Sequence, residues 1–303
     1  RTGEWCNWQH SSFWNCYSGF ESLFPNQMDV DINSLETVSY RVENPGDQGI
    51  AVISLNRDSK RNAQNNRMTY ELNACYDAAA RDARVKVIVL RAEGKHFSAG
   101  HDLRDQSDHR DFPQVFPQSG FTGEGQEGMM AHEEEVYFNM CWRWRNIPKP
   151  VVAAAQGMTI AGGLMLLWVA DIIVAADDAT FSDPVVAFGV NGVEYFGHPW
   201  EFGARKAKEL LFTGDSFTAQ EAMQLGMVNR VVPPAELDTS VMAMATTIAK
   251  KPGFALKLAK ESVNQALEAQ GQYTAMRAAF SLQHLGHANN KLRFGMAIDP
   301  SGL

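Results

Sequence analysis

The stretch from Lys149 to Pro184 reads KPVVAAAQGMTIAGGLMLLWVADIIVAADDATFSDP, and its succession of apolar segments decides the fold class. KPVVAAAQG is a short apolar run typical of a buried strand, GGLMLLWVAD predicts a helix, and IIVAADDATFSD predicts a further strand. A strand, a helix and a second strand in this order form a unit of parallel sheet with the helix packed on one face. The segment therefore predicts an α/β protein with a mainly parallel sheet.

The residues before Lys149 predict the same architecture, because their apolar spacing also alternates between strand and helix patterns. In chain order the predicted elements are a strand at TVSYRVE, a strand at GIAVISLNR after the turn NPGDQG, a helix at RMTYELNACYDAAARDA, a strand at VKVIVLRAEG and a helix at EEEVYFNMCWRWRNI. From Ala204 onward the pattern is mostly helical. We therefore divide the chain into a core over residues 36–203 and a helical C-terminal region over residues 204–303.

The first 35 residues form an aromatic-rich extension without a clean helical or strand period. Exposed aromatic segments commonly mark interaction sites, so we expect the extension to pack over a subunit surface. A lid over a substrate site is the alternative interpretation.

Composition restricts the classes of function. A chain of 303 residues is long enough for one or two domains, and its formal charge of −8 argues against a nucleic-acid partner, which would require a basic face. The four cysteines show no CxxC pair and no metal-ligand spacing, which predicts no metal site and a reducing, cytoplasmic setting. No apolar run approaches the roughly 20 residues that cross a bilayer, and the N-terminus lacks a secretory pattern, so we expect neither secretion nor a membrane partner.

Two glycine-containing turns follow predicted strands. One is HFSAGHDL at residues 96–103, and the other is IAGGLM, where Gly162 and Gly163 begin an apolar helix. Backbone N–H groups left free at such turns point outward, and two of them aimed at one carbonyl oxygen form an oxyanion hole. Small residues also let a carbonyl approach the backbone closely. Each turn alone is better explained as a tight strand-to-helix connection.

The combination of these stretches resembles the crotonase, or enoyl-CoA hydratase/isomerase, superfamily from Thr37 to Glu268. The matching segments are LNRDSKRNA, HFSAGHDL, the segment from Lys149 to Pro184, and LLFTGDSFTAQEAMQLGMVNRVV. The resemblance implies a ββα-repeat core that binds an acyl-CoA thioester, with the backbone N–H groups of His101 and Gly162 forming the oxyanion hole. It also implies a homotrimer or a hexamer built from two trimers through the C-terminal helices, with no cofactor other than the coenzyme A of the substrate.

The resemblance assigns the remaining substrate contacts to motif residues. The segment RDSKRNA would lie along the nucleotide and pantetheine, with Arg57, Lys60 and Arg61 near phosphates, although an exposed basic loop also occurs without a ligand. Lys257 and Lys260 could add positive charge, but we interpret them as solvated surface lysines. The other implied contacts are Ala63, Ala99, Gly100, Asp102, Leu103, Ala161, Met165, Pro184, Val185 and Phe188.

The chain departs from the family pattern at the two positions where hydratases carry glutamates, which here read Met165 and Val185. Addition of water across a conjugated double bond needs one group that accepts a proton and another that delivers one. Neither side chain can do so, and the ordinary two-glutamate hydratase mechanism is therefore excluded.

Glu194, in FGVNGVEYFGHP, is the carboxylate that we expect to carry acid–base chemistry, because isomerases of the family have an acidic residue in a corresponding loop. Burial among apolar neighbours would raise its pKa towards neutrality. The alternative is a structural glutamate in a salt bridge at a subunit contact. The His101 imidazole is a secondary catalytic candidate, whereas Asp183 and Ser182 are expected to fix the loop.

Three functions follow. The leading one is an acyl-CoA lyase or isomerase in which Glu194 moves a proton while the oxyanion hole stabilises an enolate. The second is hydrolysis of a thioester or C–C bond with Glu194 activating water, and the third is a catalytically silent acyl-CoA binder. Phe188 and Phe196 suggest an apolar acyl group.

Overall fold

The structure is a computed structural model that describes residues 30–44, 48–105, 107, 111–120 and 123–302. Most of the aromatic-rich extension, expected to pack over a subunit surface or to form a lid, lies outside these residues. The strands are β1 (Val38–Glu43), β2 (Gly49–Leu55), β3 (Val85–Ala92), β4 (Val151–Ala155), β5 (Met158–Ile160), β6 (Ile172–Ala176), β7 (Thr180–Ser182), β8 (Phe217–Thr218) and β9 (Arg230–Val232). The α-helices are α1 (Asn66–Arg81), α2 (Gly125–Glu133), α3 (Met140–Arg145), α4 (Gly162–Trp168), α5 (His198–Thr213), α6 (Ala219–Leu225), α7 (Leu237–Ala249), α8 (Gly253–Ala269) and α9 (Gln272–Phe294).

Six strands form the main sheet in the order β1-β2-β3-β4-β6-β9, and β5, β7 and β8 form a smaller second sheet. In the main sheet β1 pairs antiparallel with β2, and every other neighbour is parallel. The carboxyl ends of parallel strands meet at one edge, and the loops that follow them lie close together there. The predicted α/β fold with a mainly parallel sheet is confirmed.

Alternating side chains of the main sheet enter two separate cores. On one face, Val52, Val89 and Val152 pack against α7, whose buried residues recur every four positions from Leu237 to Ala249. On the other face, Ile53, Leu55, Ile88 and Leu90 pack with α1, α3 and α4. Burial on both faces explains why β2 to β4 are almost continuously apolar in sequence.

Two predicted elements differ from the structure. The single strand predicted over IIVAADDATFSD is wrong: β6 and β7 belong to different sheets, and a polar turn at Asp177 and Asp178 separates them. The helix predicted at EEEVYFNMCWRWRNI begins earlier, at Gly125, and contains a π-helical turn over Glu134–Asn139 between α2 and α3.

The expected domain boundary after residue 203 falls within α5, where Gly203 has non-helical angles (φ 72°, ψ 161°).

Candidate active site

The two glycine-containing turns lie against each other. The Ile160 N–H donates to the Ser98 carbonyl at 3.0 Å, which ties the turn after β3 to the end of β5. Gly100 has a φ of 89°, and a Cβ there would lie 2.7 Å from the Ile160 carbonyl oxygen. Only glycine therefore permits this close approach.

The two predicted oxyanion donors, the N–H groups of His101 and Gly162, point away from the hydrogen bonds that hold their turns. Gln64 bonds the residues on either side of His101, accepting from the Asp102 N–H and donating to the Gly100 carbonyl, each at 2.8 Å. Among the described residues, neither the His101 N–H nor the Gly162 N–H has a hydrogen-bond partner. Ala161, just before Gly162, is held at φ 46° and ψ −114°, a strained conformation of the kind that clusters at functional sites. The arrangement leaves two backbone donors for a ligand.

A cavity of about 400 Å³ opens beside these turns. Its wall brings together many of the residues predicted from sequence: Ala99, His101, Asp102, Leu103, Ala161, Pro184, Val185, Phe188 and Glu194. The wall also includes residues that the sequence analysis did not single out, of which the polar ones are Glu133, Tyr137, Gln283 and His287. The cavity is thus closed partly by the C-terminal helix α9.

The other predicted contacts do not line this cavity. Lys60 and Arg61 are exposed on the loop after β2, while the Arg57 guanidinium binds the Asp102 carboxylate at 2.8 Å and so anchors the HFSAGHDL turn. Ala63 accepts a hydrogen bond from Arg57 through its carbonyl. Gly100 and Gly162 contribute backbone rather than cavity wall.

Met165 and Lys260 have structural roles. Met165 is fully buried beneath the loop that carries Glu194, and its sulfur accepts from the Tyr195 N–H at 3.3 Å. The interpretation of Lys260 as a solvated lysine is wrong, because its ammonium group pairs with the Asp171 carboxylate at 2.9 Å and its side chain is only 7% exposed. Burial of the lysine would otherwise be unfavourable, and the ion pair offsets it. Lys257 is exposed, as expected.

Glu194 is buried and ion-paired. Its Oε2 lies 2.9 Å from Nε2 of His101, and its Oε1 accepts from the Gln283 side-chain amide at 2.8 Å. The His101 ring also stacks on Tyr137, with centroids 3.9 Å apart. A carboxylate and an imidazole thus stand together at the turn that supplies one oxyanion donor.

The pairing changes the expected ionisation of Glu194. Burial alone raises the pKa of a carboxyl, but the charge and the hydrogen bond of His101 outweigh burial and lower the pKa of Glu194. Burial likewise opposes the charged form of His101, yet Glu194 raises the pKa of that imidazole above its ordinary value. The predicted rise of the Glu194 pKa is therefore wrong, and the two groups form an imidazolium–carboxylate pair. The salt-bridge partner of Glu194 belongs to the same chain.

The loop that carries Glu194 is fixed by a second buried pair. The Asp183 Oδ2 lies 2.8 Å from Nε2 of His198 and accepts from the Val193 N–H at 3.2 Å. Asp183 and His198 are 3% and 1% exposed. This geometry agrees with the expected loop-fixing role of Asp183.

No sequence motif identifies Glu133 and His287 as residues of the cavity wall. Glu133 is the last residue of α2 before the π-helical turn, a feature that often marks functional sites but has no simple sequence signature. Its Oε2 lies 3.2 Å from Nε2 of His284 and 3.7 Å from Nε2 of His287, both on α9. The spacing of Gln283 and His287, four residues apart, was the one available signal that they share a helix face.

Two general absences hold for the described residues. No helix among them is both long and apolar enough to cross a membrane. Within the same ranges, no group of three or more histidine, cysteine or acidic side chains is arranged to hold a metal ion.

Known proteins resemble the chain over most of its length. The model of the family described as enoyl-CoA hydratase/isomerase matches residues 46–298. EchA13 of Mycobacterium tuberculosis, which bears the name of an enoyl-CoA hydratase, is 46% identical over 256 residues, covering 82% of this chain and 80% of the relative. The 1,2-epoxyphenylacetyl-CoA isomerase of Escherichia coli is 30% identical over 226 residues, covering 73% of this chain and 80% of that enzyme.

Solved structures give the same picture. A crystal structure of a probable enoyl-CoA hydratase from Mycobacterium smegmatis superposes with a TM-score of 0.78 at 46% identity. The match covers 86% of this chain and 99% of that one. Similarity at this level extends over most of the fold.

Proposed function

The chain belongs to the enoyl-CoA hydratase/isomerase family of the crotonase superfamily, and from this premise we propose that it is an isomerase or lyase that moves a proton beside an acyl-CoA thioester. As a family member it is an acyl-CoA enzyme. Its relatives carry both hydratase and isomerase names, so similarity alone does not separate these reactions. The observation that carries the proposal is the 2.9 Å pair between His101 and Glu194, next to two backbone donors that have no hydrogen-bond partner among the described residues.

The backbone donors polarise the substrate. A thioester oxygen placed between the His101 and Gly162 N–H groups would receive two hydrogen bonds, and these strengthen as negative charge develops on the oxygen. Stabilising the enolate in this way lowers the barrier to removing a proton from the adjacent carbon.

Glu194 and His101 then handle the proton. The Glu194 carboxylate is ionised at neutral pH and takes a proton from the carbon beside the thioester, while the C–H electron pair moves into the enolate. Return of that proton to the far carbon of the conjugated system shifts the double bond without net gain or loss of atoms. His101, through its hydrogen bond, orients the carboxylate and stabilises its charge.

Coenzyme A would enter along the basic loop. In this proposal the exposed Lys60 and Arg61 bind phosphates, whereas Arg57 is already paired with Asp102 and fixes the turn. We retain a cytoplasmic location and a trimer or hexamer as further proposals.

Glu194→Gln tests the proton transfer, because it keeps the side-chain shape and removes the base. We expect the rate at which the protein shifts the double bond of an enoyl-CoA to fall by about 10² to 10⁴, and solvent-deuterium exchange beside the thioester to fall equally. Acyl-CoA affinity should change little. Glu236→Gln, at an exposed position, is the matched control and should keep full activity. Full activity of Glu194→Gln would show that Glu194 is structural, and release of free CoA would favour the hydrolase alternative.

The pH profile provides a second readout of the same pair. Glu194 raises the pKa of His101, so the imidazolium persists above the ordinary histidine value of about 6.5 and is lost as pH rises through the folded-state pKa. The wild-type rate should therefore fall as pH rises above the pKa of His101, because Glu194 then loses the charged partner that orients it. Glu194→Gln should move the alkaline limb of any residual rate to lower pH, because the stabilising charge is gone.

A further inference from the structure

The His101 ring, which pairs with Glu194 along its edge, is also held on both of its faces. One face stacks on the Tyr137 ring, with centroids 3.9 Å apart and planes inclined by 28°. A Cβ built on Gly162 would have three His101 ring atoms as its nearest neighbours, at 2.6, 2.7 and 2.9 Å. Because a Cβ placed between two rings this close would contact Tyr137 as well, Gly162 lies against the opposite face. The imidazole is thus confined between a glycine and an aromatic ring.

The edge of the His101 ring makes a single hydrogen bond. Nε2 lies 2.9 Å from Oε2 of Glu194, whereas the buried Nδ1 has no partner among the residues that the structure describes. When both nitrogens carry a proton, the N–H at Nδ1 gains nothing from a hydrogen bond, and burial opposes the charge. The face towards Tyr137 is therefore the other surface through which the imidazolium can be stabilised.

Tyr137 has the chemistry for this role. A cation within about 6 Å of the centroid of a tyrosine ring is attracted to the electron-rich face, and the attraction is larger where water is excluded. The His101 side chain is only 18% exposed. Stacking on Tyr137 thus favours the protonated imidazole, whereas the neutral ring gains only dispersion contact. The stack and the Glu194 carboxylate favour the same charge state.

The π-helical turn orients this tyrosine. Val136 and Phe138, on either side of Tyr137, are fully buried in the same core as α1, α3 and α4, and Tyr137 itself lines the cavity. Such turns are rare and frequently occur at functional sites. The two buried neighbours anchor the turn, so the fold fixes the ring of Tyr137 against His101.

Several other ionisable groups surround the stacked rings. Burial lowers the pKa of His101, but Glu194 raises it above its ordinary value. Glu133 and Asp183 act on His101 in the same direction as Glu194. The further charged or titratable groups near the two rings and Glu194 are Asp102, its partner Arg57 and Asp105 near the HFSAGHDL turn, His132 on α2, Cys141 on α3, and His284 and His287 on α9. A substitution at Tyr137 leaves all of them in place.

We propose that Tyr137 is a positioning residue that holds the charged His101 ring against Glu194 by stacking on its face. The proposal rests on the proposed function, because the pair that Tyr137 supports is the one that moves the proton. Since the aromatic face carries the effect, the hydroxyl group is not required, and phenylalanine should replace tyrosine at this position.

NMR titration of the histidine rings tests the stacking without substrate. The full chain is labelled with ¹³C in its histidine rings, and the His101 signals are identified by their loss in His101→Gln. In the wild-type protein we expect Hε1 or Hδ2 of His101 upfield of its position in an unfolded peptide, because protons over an aromatic face are shielded. Tyr137→Leu should lower the His101 titration midpoint by about one pH unit, a tenfold change in its protonation equilibrium. Tyr137→Phe should keep both the shielding and the midpoint.

The pH profile of turnover gives the functional readout. Above the wild-type midpoint, Tyr137→Leu should shift the double bond of an enoyl-CoA about tenfold more slowly than the wild-type protein, because less His101 is charged. Below the midpoint of the variant, the two rates should agree within about threefold, and Tyr137→Phe should stay within about twofold of wild type at every pH. Tyr273→Leu is the matched control, since it removes a tyrosine that packs on Phe138 and Trp142, and it should keep the wild-type profile.

The outcomes separate the two proposals. Unshielded His101 signals in the wild-type protein overturn the positioning role, even if Tyr137→Leu fails to fold. A midpoint that Tyr137→Leu leaves unchanged overturns it as well, and so does a rate that falls equally at every pH, which would give Tyr137 a merely structural role. Absence of turnover of every enoyl-CoA by the wild-type protein overturns the proposed function, whereas the NMR titration still decides whether Tyr137 stabilises the charged ring.

Discussion

At the scale of single residues, Gly162 and His101 depend on each other. A Cβ built on Gly162 would lie 2.6 Å from Cε1, 2.7 Å from Nδ1 and 2.9 Å from Nε2 of His101. The imidazole therefore occupies the space that any other residue at position 162 would need. His101 can pair with Glu194 because the residue beneath its ring is glycine.

Gly162→Ala should consequently act through the His101 ring. The added methyl group must push the ring away from Glu194, and we expect turnover to fall roughly 10²-fold, as for a misplaced acid–base group. In a His101→Ala background the space is already empty, so the same substitution should cost less than about threefold. Steady-state kinetics of the four proteins, treated as a double-mutant cycle, measures this coupling.

Gly163→Ala is the matched control for that cycle. A Cβ at Gly163 would lie 2.7 Å from the Ser98 carbonyl oxygen, which is backbone and does not depend on His101. Its cost should be the same in both backgrounds. An equal cost of Gly162→Ala with and without the imidazole would contradict the proposed contact.

The sequence identified His101 and Glu194 as candidates but could not predict their ion pair. They are separated by 93 positions, and no periodicity joins residues on different loops. The direction of the Glu194 pKa followed wrongly from burial alone, because a partner cation reverses the effect of desolvation. The sequence therefore predicts which side chains can transfer protons, whereas the direction of their pKa shifts depends on contacts between distant residues.

At the scale of elements, periodicity predicted long segments well and interruptions poorly. The apolar runs of β2, β3 and β4 and the helix α1 lie close to where their patterns predicted them. The break between β6 and β7 and the π-helical turn before α3 were missed, since one extra residue or a two-residue turn barely alters an apolar pattern. The π-helical turn lies beside the cavity and follows Glu133 directly.

The loop between β7 and α5 should depend on the buried pair of Asp183 and His198. Asp183→Ala would leave His198 and the Val193 N–H without their acceptor, and we expect the free energy of unfolding to fall by about 3–5 kcal/mol. Urea denaturation followed by circular dichroism measures this change. Asp177→Ala, at an exposed position, should cost no more than about 0.5 kcal/mol. A comparable loss for both variants would argue against a special role of the pair.

At the scale of the whole molecule, the C-terminal helices have two different environments. Helix α9 contributes Gln283 and His287 to the cavity wall. The C-terminal region is therefore part of the candidate active site. Helix α8 buries the Lys260 side chain but exposes Phe254, Leu258 and Val263. The sequence predicts apolar positions at helical spacing in α8, but only the structure shows that they are exposed in the single chain.

The exposed apolar side chains of α8 support the expected assembly, because large apolar side chains are unfavourable in water unless another surface covers them. We predict that sedimentation at micromolar concentration gives at least a trimer. Val263→Asp, which places a charge at a residue 62% exposed in the single chain, should shift the protein towards smaller species, since burying that charge in an interface would be costly. Gln220→Asp adds the same charge to an exposed position of α6 and should leave the sedimentation coefficient unchanged. A monomeric wild-type protein would contradict the prediction, and because α9 already closes the cavity from within one chain, such a monomer should still bind acyl-CoA.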